Sequence, residues 1–521
     1  MVRVAYSSLL RLQGLWDSLD WLMTYSFDAF LEQFGGNWYD DDPLLQRLLT
    51  RFAPSESRKQ EPELREWGAL CADPLRELAN ESGRLENRPL LRHLDAYNHR
   101  VDDIVLPAST TRALQVVEGE HRLGALGGDP HVFASQWYLC FQNGEAGVSC
   151  SMACTDGMVR ALERLGDRPI HADVVRQVRQ STAERFTHGA QFVTEIQGGS
   201  DAGANLLQAR RDGGRWTLHG QKWFCSNINA DYFLVTGRPQ GAEPGGRGVA
   251  LFLVPAYTDE ARRIRNGYTI DRFKDKLGTC ELATAEVTFA GAEAFPVGPL
   301  DRGLANVTAH VLVTSRMACV TVAAAFLRQA QRIATAYSDF RQAFGRRIGE
   351  FPLVRDTLER IRSAREASLA ALFELTRMWE PDQSRSETSV EALDFRYLVS
   401  LAKPVLTRQA TDLVHEAIML LGANGVEERF SPLPRLWRDA IVMETWEGPH
   451  NVLFTQALRD MLRHEVDPAA FVGRVAGETR HDLVRELSGV LAKGDDPEAT
   501  TALARFAPKL VEAFGESVLR D

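Results

Sequence analysis

Glu447 is a carboxylate set between Trp446 and Gly448. A carboxylate works as a general base when it is ionised, desolvated and within reach of the proton it removes. The glycine beside it lets backbone approach a ligand closely; in isolation the residue reads as an ordinary exposed acid. A second candidate is the run Val193-Thr194-Glu195-Ile196-Gln197-Gly198-Gly199-Ser200-Asp201, whose glycine pair makes either a ligand-facing backbone or a plain turn. A third is Lys222-Trp223-Phe224-Cys225-Ser226-Asn227, which carries aromatic faces and a hydroxyl on one strand. Its structural counterpart is a strand with an inward aromatic, common in any β core.

Cys150 and Cys154 are the only metal-like pair, at i, i+4 on an apolar helix. With no second Cys/His pair nearby they read as core, and no metal is expected. Cys225 reads as buried filler. Arg346, Arg347, Arg355, Arg360, Arg362 and Arg365 are interleaved with Glu350, Asp356, Glu359 and Glu366. That mixture reads as a solvated helix face, with a phosphate-binding patch as the alternative.

These residues must be placed by three kinds of segment. Residues 1–187 read mostly helical, with apolar residues three and four apart in PLLQRLLTRF and DPLRELANE. Residues 188–300 switch to short β-branched and aromatic runs bounded by Gly, Pro or Asn, and Gly213-Gly214 marks a hairpin. Residues 301–465 return to the helical period as a bundle, with Glu380 to Ala392 as a polar loop. Residues 466–521 read as a helical tail. The fold class is therefore α+β: an N-terminal helical domain, a middle β domain, and a C-terminal helical bundle with an extra tail. No strand is followed by GxGxxG, so a dinucleotide-wound α/β fold is excluded.

Composition sets the outer bounds. The 521 residues carry a net charge of −10, with 44% hydrophobic and 25% charged residues. That is an ordinary soluble profile, and the field does not favour nucleic acid or anionic membrane. In the tail beyond Arg463, acids outnumber bases. Seven cysteines without a disulfide framework point to a reducing, cytoplasmic location. Arg11, Asp17 and Asp20 interrupt any apolar leader. The apolar stretch Met317 to Leu327 is too short to span a bilayer, which needs about 20 residues, so no membrane is expected.

Five segments in order resemble one family. Thr194-Glu195 with Gly199-Ser200-Asp201 is similar to the "TE…GSD" signature of acyl-CoA dehydrogenases. Lys222 to Asn227 with Ala230-Asp231 resembles "K-x-W-I-T-N…AD". Arg341 to Gly345 resembles "R-x-x-F-G", and Gly422 to Gly425 resembles "GGxG". Arg438-Asp439 with Trp446-Glu447-Gly448 resembles "RD…YEG". TEIQGGSD, QKWFCSN and WEGPHN, with LLRHLDAYNHRVDDI and the helix from GEAGVSC, look closest to the AidB-like branch of alkylation-response flavoproteins.

The resemblance implies FAD as cofactor and an acyl-CoA thioester as substrate. Glu447 is then the base, taking the α-proton while flavin N5 takes the β-hydride. Some members carry their base on the helix where this chain has Ser315-Arg316. Ser315 cannot be that base, and Arg316 would pack near Glu447 and help keep it ionised. Thr194, Gly199, Ser200 and Asn451 would bind cofactor. Phe224 takes the family's tryptophan position on the flavin ring, and Ser226 the hydroxyl that bonds N5. Arg341, Phe344, Gly422 and Gly425 would complete the FAD site of a neighbouring subunit, implying a homotetramer. The electron acceptor would be an electron-transfer flavoprotein. The AidB-like branch implies an alternative, DNA binding with weak dehydrogenase activity, and an oxidase on the same fold is a third reading. Two departures stand out: Pro449 follows Gly448 where the family has a flavin-binding Thr, and Thr279-Cys280 replace the usual arginine after Lys276-Leu277-Gly278.

Overall fold

A computed structural model describes residues 26–520 apart from 35, 260, 262, 263 and 380–387. The leader reading and most of the polar-loop reading lie outside the described residues. Among the helices are α1 (Pro43–Phe52), α2 (Pro54–Ala72), α3 (Pro130–Phe141), α4 (Ala146–Leu165), α5 (Val313–Phe340), α6 (Pro352–Trp379), α7 (Val390–Leu420), α8 (Leu433–Thr445), α9 (His450–Arg463), α10 (Pro468–Ala476), α11 (His481–Leu491) and α12 (Pro497–Arg520).

Asp42 shows how the helical regions lock together. Its Oδ1 accepts from the Leu45 N–H at 3.0 Å, capping α1. Its Oδ2 accepts from the Tyr138 hydroxyl of α3 at 2.9 Å and pairs with Arg365 of α6. Both partners are buried, so the charge is kept by contact and not by solvent. Helix α5 runs through the centre, buried on nearly every side by α6 and α7. The continuous helix Gly303–Phe340 is long and apolar enough to cross a membrane, and 83% of its apolar window is buried inside the protein. It is the core rod of the bundle. The tail belongs to the same core: α12 packs along α6, and Val472, Leu487, Leu503 and Phe514 are buried with the bundle.

The N-terminal region contains one element that helical periodicity does not announce. Strands β1 (Leu90–Leu94) and β2 (Arg100–Val105) form an antiparallel hairpin. The β domain holds β3 (Gly189–Phe192), β4 (Gln208–Asp212), β5 (Arg215–Ser226), β6 (Tyr232–Pro239), β7 (Ala250–Pro255), β8 (Tyr268–Phe273) and β9 (Thr284–Pro296). Gly213 and Gly214, both at positive φ, join β4 to β5 as the sequence predicts. Strands β6, β4, β5, β9 and β7 close on themselves, with β3 added beside β6 and β8 beside β9. Phe192, Phe233, Phe252 and Phe289 fill the interior.

One irregularity aims side chains at the bundle. Lys222 pairs with Val287, and Cys225 with Ala285, so β5 uses one residue more than β9. This β-bulge breaks the in–out alternation. Lys222 and Cys225, three apart, are both fully buried, while Phe224 between them is 51% exposed.

Candidate active site

The turn carrying Glu447 sits between α8 and α9. Glu447 has φ +53° and Gly448 φ +106°. A non-glycine residue in the left-handed region costs of order 1 kcal/mol or more and persists only where neighbours hold it. Lys403 of α7 is one holder: its buried ammonium donates to the carbonyls of Glu444 and Gly448, each at 2.9 Å. Arg316 of α5 is another, its Nε donating to the Glu447 carbonyl at 3.3 Å and its second nitrogen to Gln456 Oε1 at 3.2 Å.

Both cations therefore direct their hydrogen bonds to backbone and amide oxygens, and neither to the Glu447 carboxylate. Burial pushes Glu447 up from 4.5 to about 7, against the opposing pull of Arg316 and Lys403. Half-buried by surface area, the residue is still ringed by Gln191, Ser315, Arg316, Lys403 and the Cys154 thiol. Gln191 Nε2 reaches Glu447 Oε1 at 3.3 Å and Ser315 Oγ at 2.8 Å. The structure thus brings Glu447, Ser315 and Arg316 together.

From Gln191 the chain runs three residues to Thr194, about 10 Å along a strand. The Thr194 carbonyl accepts from the Trp223 N–H at 3.0 Å, fastening this loop to the bulge of β5. A Cβ on Gly199 would lie 2.7 Å from Thr194 Oγ1, so only glycine lets the loop fold over that hydroxyl. Beneath it, Glu195 and Lys222 form a buried ion pair at 2.8 Å. Glu195 also accepts from the N–H groups of Leu206 at 2.6 Å and Leu207 at 3.2 Å. Burial alone would raise Glu195; the charge and hydrogen bond of Lys222, with the bonds from Leu206 and Gln197, together outweigh it, and the carboxyl lies below its ordinary value. Burial lowers Lys222 to about 8, which leaves it charged at neutral pH.

Ser226 Oγ meets Thr284 Oγ1 at 3.1 Å, and Thr284 accepts from Lys276 Nζ at 2.8 Å. Thr284 is thereby free to donate to Ser226, which leaves the Ser226 proton for the cleft. Lys276, lowered by burial to about 8, opens the turn in which the sequence departs from the pattern it resembles. There Gly278 packs against the Arg438 carbonyl, which a Cβ would approach to 2.4 Å. The Thr279 N–H donates to Asp439 Oδ1 at 2.5 Å. Two motifs distant in sequence, KLG and RD, are thus one contact.

The family pattern "Acyl-CoA dehydrogenase, middle domain" matches residues 190–292, and "Acyl-CoA dehydrogenase, C-terminal domain" matches residues 301–462. Acyl-CoA dehydrogenase family member 11 of Caenorhabditis elegans is 32% identical over 456 residues, covering 84% of this chain and 73% of its own. The chain belongs to the acyl-CoA dehydrogenase family.

AidB of Escherichia coli (strain K12) is 29% identical over 440 residues, covering 79% of this chain and 78% of its own. Two solved structures share the architecture across nearly the whole length. The apo form of Bd2924 has TM-score 0.85 at 27% identity, covering 93% of this chain and 97% of its own. The Caenorhabditis elegans ACDH-11 in complex with C11-CoA has TM-score 0.83 at 27% identity, covering 92% and 86%.

The family is one of FAD-dependent oxidoreductases, and the residues present fit that group. Phe224 turns an exposed ring out between buried Lys222 and Cys225, Ser226 offers a hydroxyl, and Gly198 next to Gly199 has open space where a side chain would stand. Ser200 is exposed beside it, and Asn451 is exposed in the first turn of α9.

Arg341, Phe344, Gly422 and Gly425 gather elsewhere. Arg341 follows the last turn of α5, its N–H donating to the Tyr337 carbonyl at 2.8 Å, and Asn424 donates to the Tyr337 hydroxyl at 3.0 Å. Phe344, at φ +53°, stands 96% exposed at the tip of a two-residue-stranded hairpin. Arg341 lies 25 positions beyond Arg316 along this helix, about 37 Å at 1.5 Å per residue. A ligand beside Glu447 is out of reach of this group within one chain.

Three of the six clustered arginines are held in local pairs, and Arg346 lies over the Phe351 ring at 4.2 Å. Arg365 is buried on Asp42, Arg360 pairs with Asp356 and Glu416, and Arg362 with Glu359 and Glu366. Sequence reasoning missed Gln191, Lys403, Lys276 and Thr284. Lys403 had a signal, a lone charge inside the apolar run Leu398 to Leu406. Gln191 had the weaker one of a polar residue between Ala190 and Phe192.

Proposed function

We propose that this chain is an FAD-dependent acyl-CoA dehydrogenase in which Glu447 removes the α-proton of an acyl thioester. The observation that carries the reading is the Glu447 carboxyl: desolvated, held in a left-handed turn, and poised at about 7. A base works best with its pKa near the working pH. When bound, the flavin supplies the acceptor for the β-hydride. Glu447 takes the proton from Cα and becomes the neutral acid, as the Cα–Cβ double bond forms. Arg316 and Lys403 fix the turn and favour the ionised base. The Glu447 N–H is the donor assigned to the thioester carbonyl, where charge develops. Ser226 and Thr194 bind on the cofactor side, with Phe224 against the ring. The C11-CoA held by the Caenorhabditis elegans relative supports an acyl-CoA substrate.

The exposed Phe344 hairpin supports assembly as a homotetramer in which Arg341, Phe344, Gly422 and Gly425 complete a neighbour's cofactor site. Seven cysteines without a disulfide support a cytoplasmic location. An electron-transfer flavoprotein is the proposed acceptor. DNA binding, the reading suggested by the AidB-like branch, has less support, since Arg360, Arg362 and Arg365 of the cluster are already paired with acids; a salt-dependent mobility shift tests it.

The deciding experiment is an anaerobic titration of the purified protein with acyl-CoAs of graded length, following the visible flavin band. Bleaching by one length class supports the proposal. A bound flavin that no acyl-CoA reduces overturns it.

A further inference from the structure

Gln191 lies on β3, between Ala190 and Phe192, both fully buried in the β core. Alternation along the strand turns it to the opposite face, toward the bundle. Its amide there bridges two residues from elsewhere in the chain. Nε2 lies 2.8 Å from Ser315 Oγ and 3.3 Å from Glu447 Oε1, the latter 256 residues away. An amide nitrogen has two hydrogens, and this geometry uses both.

We propose that Gln191 is the positioning residue of the base: Ser315 fixes its amide, and the amide donates to the Glu447 carboxylate and sets which oxygen faces substrate. The inference rests on the reading of Glu447 as base. The groups facing Glu447 from each packed element single Gln191 out. From α5 come Ser315, Arg316 and Cys319; from α7, Lys403; from α4, Cys154; from β3, Gln191. Arg316 and Lys403 donate to carbonyls. Among the described residues, the side-chain donors that reach the carboxyl are the two neutral ones, Gln191 and Ser315.

The neutrality matters chemically. A cation bonded directly to the carboxylate would hold it ionised but oppose its taking a proton. A neutral amide steadies the anion at less cost to basicity. Gln191 Oε1 is buried, and among the described residues nothing donates to it. Rotating the amide would turn this oxygen toward the proton that Glu447 has gained, so one side chain serves the base before and after the transfer.

The test is an infrared pH titration of the purified protein, following the carbonyl stretch of the protonated Glu447 carboxyl, identified as the band absent in Glu447→Gln. In Gln191→Leu the midpoint is expected to rise by about one pH unit, a tenfold change in ionised fraction at pH 6. With acyl-CoA, flavin reduction should then fall about tenfold at pH 6 and match wild type at pH 9. Ser315→Ala, which loosens the amide, should move the midpoint the same way by less. An unchanged midpoint in both variants overturns the proposal, as does a rate loss equal at every pH, which marks a merely structural side chain. The infrared titration needs no substrate, so it decides the role of Gln191 even if no acyl-CoA reduces the flavin.

Discussion

Glu195 and Glu447 are both acids packed near a buried lysine, and they end on opposite sides of the ordinary carboxylate range. Lys222 touches the Glu195 carboxylate at 2.8 Å, and the acid is held down. Lys403 gives its hydrogen bonds to two carbonyls of the Glu447 turn, and that acid rises to about 7. Residue type is the same, and by surface area Glu195 is the more buried; what holds Glu195 down is that its lysine, with the N–H groups of Leu206 and Leu207, bonds the carboxylate itself. Direct contact makes a clamp for the Thr194 loop. Contact through backbone makes a rigid turn and leaves a carboxylate able to accept a proton.

The largest expected effect lies on the reactive member. Glu447→Gln should keep flavin yet lose reduction by acyl-CoA by roughly 10² to 10⁴-fold, measured by stopped-flow absorbance; an unchanged rate would remove Glu447 from the mechanism. On the clamp side, Lys222→Met leaves Glu195 buried and uncompensated, and denaturant unfolding should show a loss of about 3–5 kcal/mol. A loss under 1 kcal/mol would mean the pair holds nothing.

The sharpest test of the comparison uses stability at several pH values. A carboxyl whose folded pKa exceeds its unfolded one binds more protons when folded, so its contribution falls as pH rises from 4.5 through 7. Glu447→Gln should therefore be more stable than wild type at pH 8, by about 2 kcal/mol, with the gain vanishing near pH 4.5. Glu195→Gln should show the reverse, a loss at pH 8. If both variants moved in the same direction, the contrast drawn between the two lysines would fail. The smallest effect concerns Ser226: Thr284→Val removes one hydrogen bond between Lys276 and the cofactor side, worth about 1 kcal/mol. Flavin reduction should slow about fivefold, with its pH midpoint unmoved.

The order helical, β, helical was legible because the hydrophobic period changes near residues 188 and 300, and the strand residues of β5, β6, β7 and β9 are β-branched and aromatic. The hairpin Leu90–Val105 was not, because LLRHL and RVDDIV carry charge on mostly exposed strands and show no clean alternation. Strand β3 escaped by its length of four residues. Glu447, Ser315 and Arg316 could be named from motif positions. Gln191 and Lys403 could not, since their work lies in a bond across 256 residues and another across 45. The bulge at Trp223-Phe224 follows the same logic: it exists only relative to β9.

Helix α5 carries Arg316 near one end and hands the chain to Arg341 at the other. An α-helix turns about 100° per residue, so α5 acts as a shaft with a fixed phase between its ends. Substitutions along it change packing, but inserting or deleting one residue rotates the Arg341–Phe344 hairpin by more than a quarter turn relative to the base. The length of this rod should therefore tolerate far less drift than its composition, and related chains that keep both ends in use must keep the same count between them.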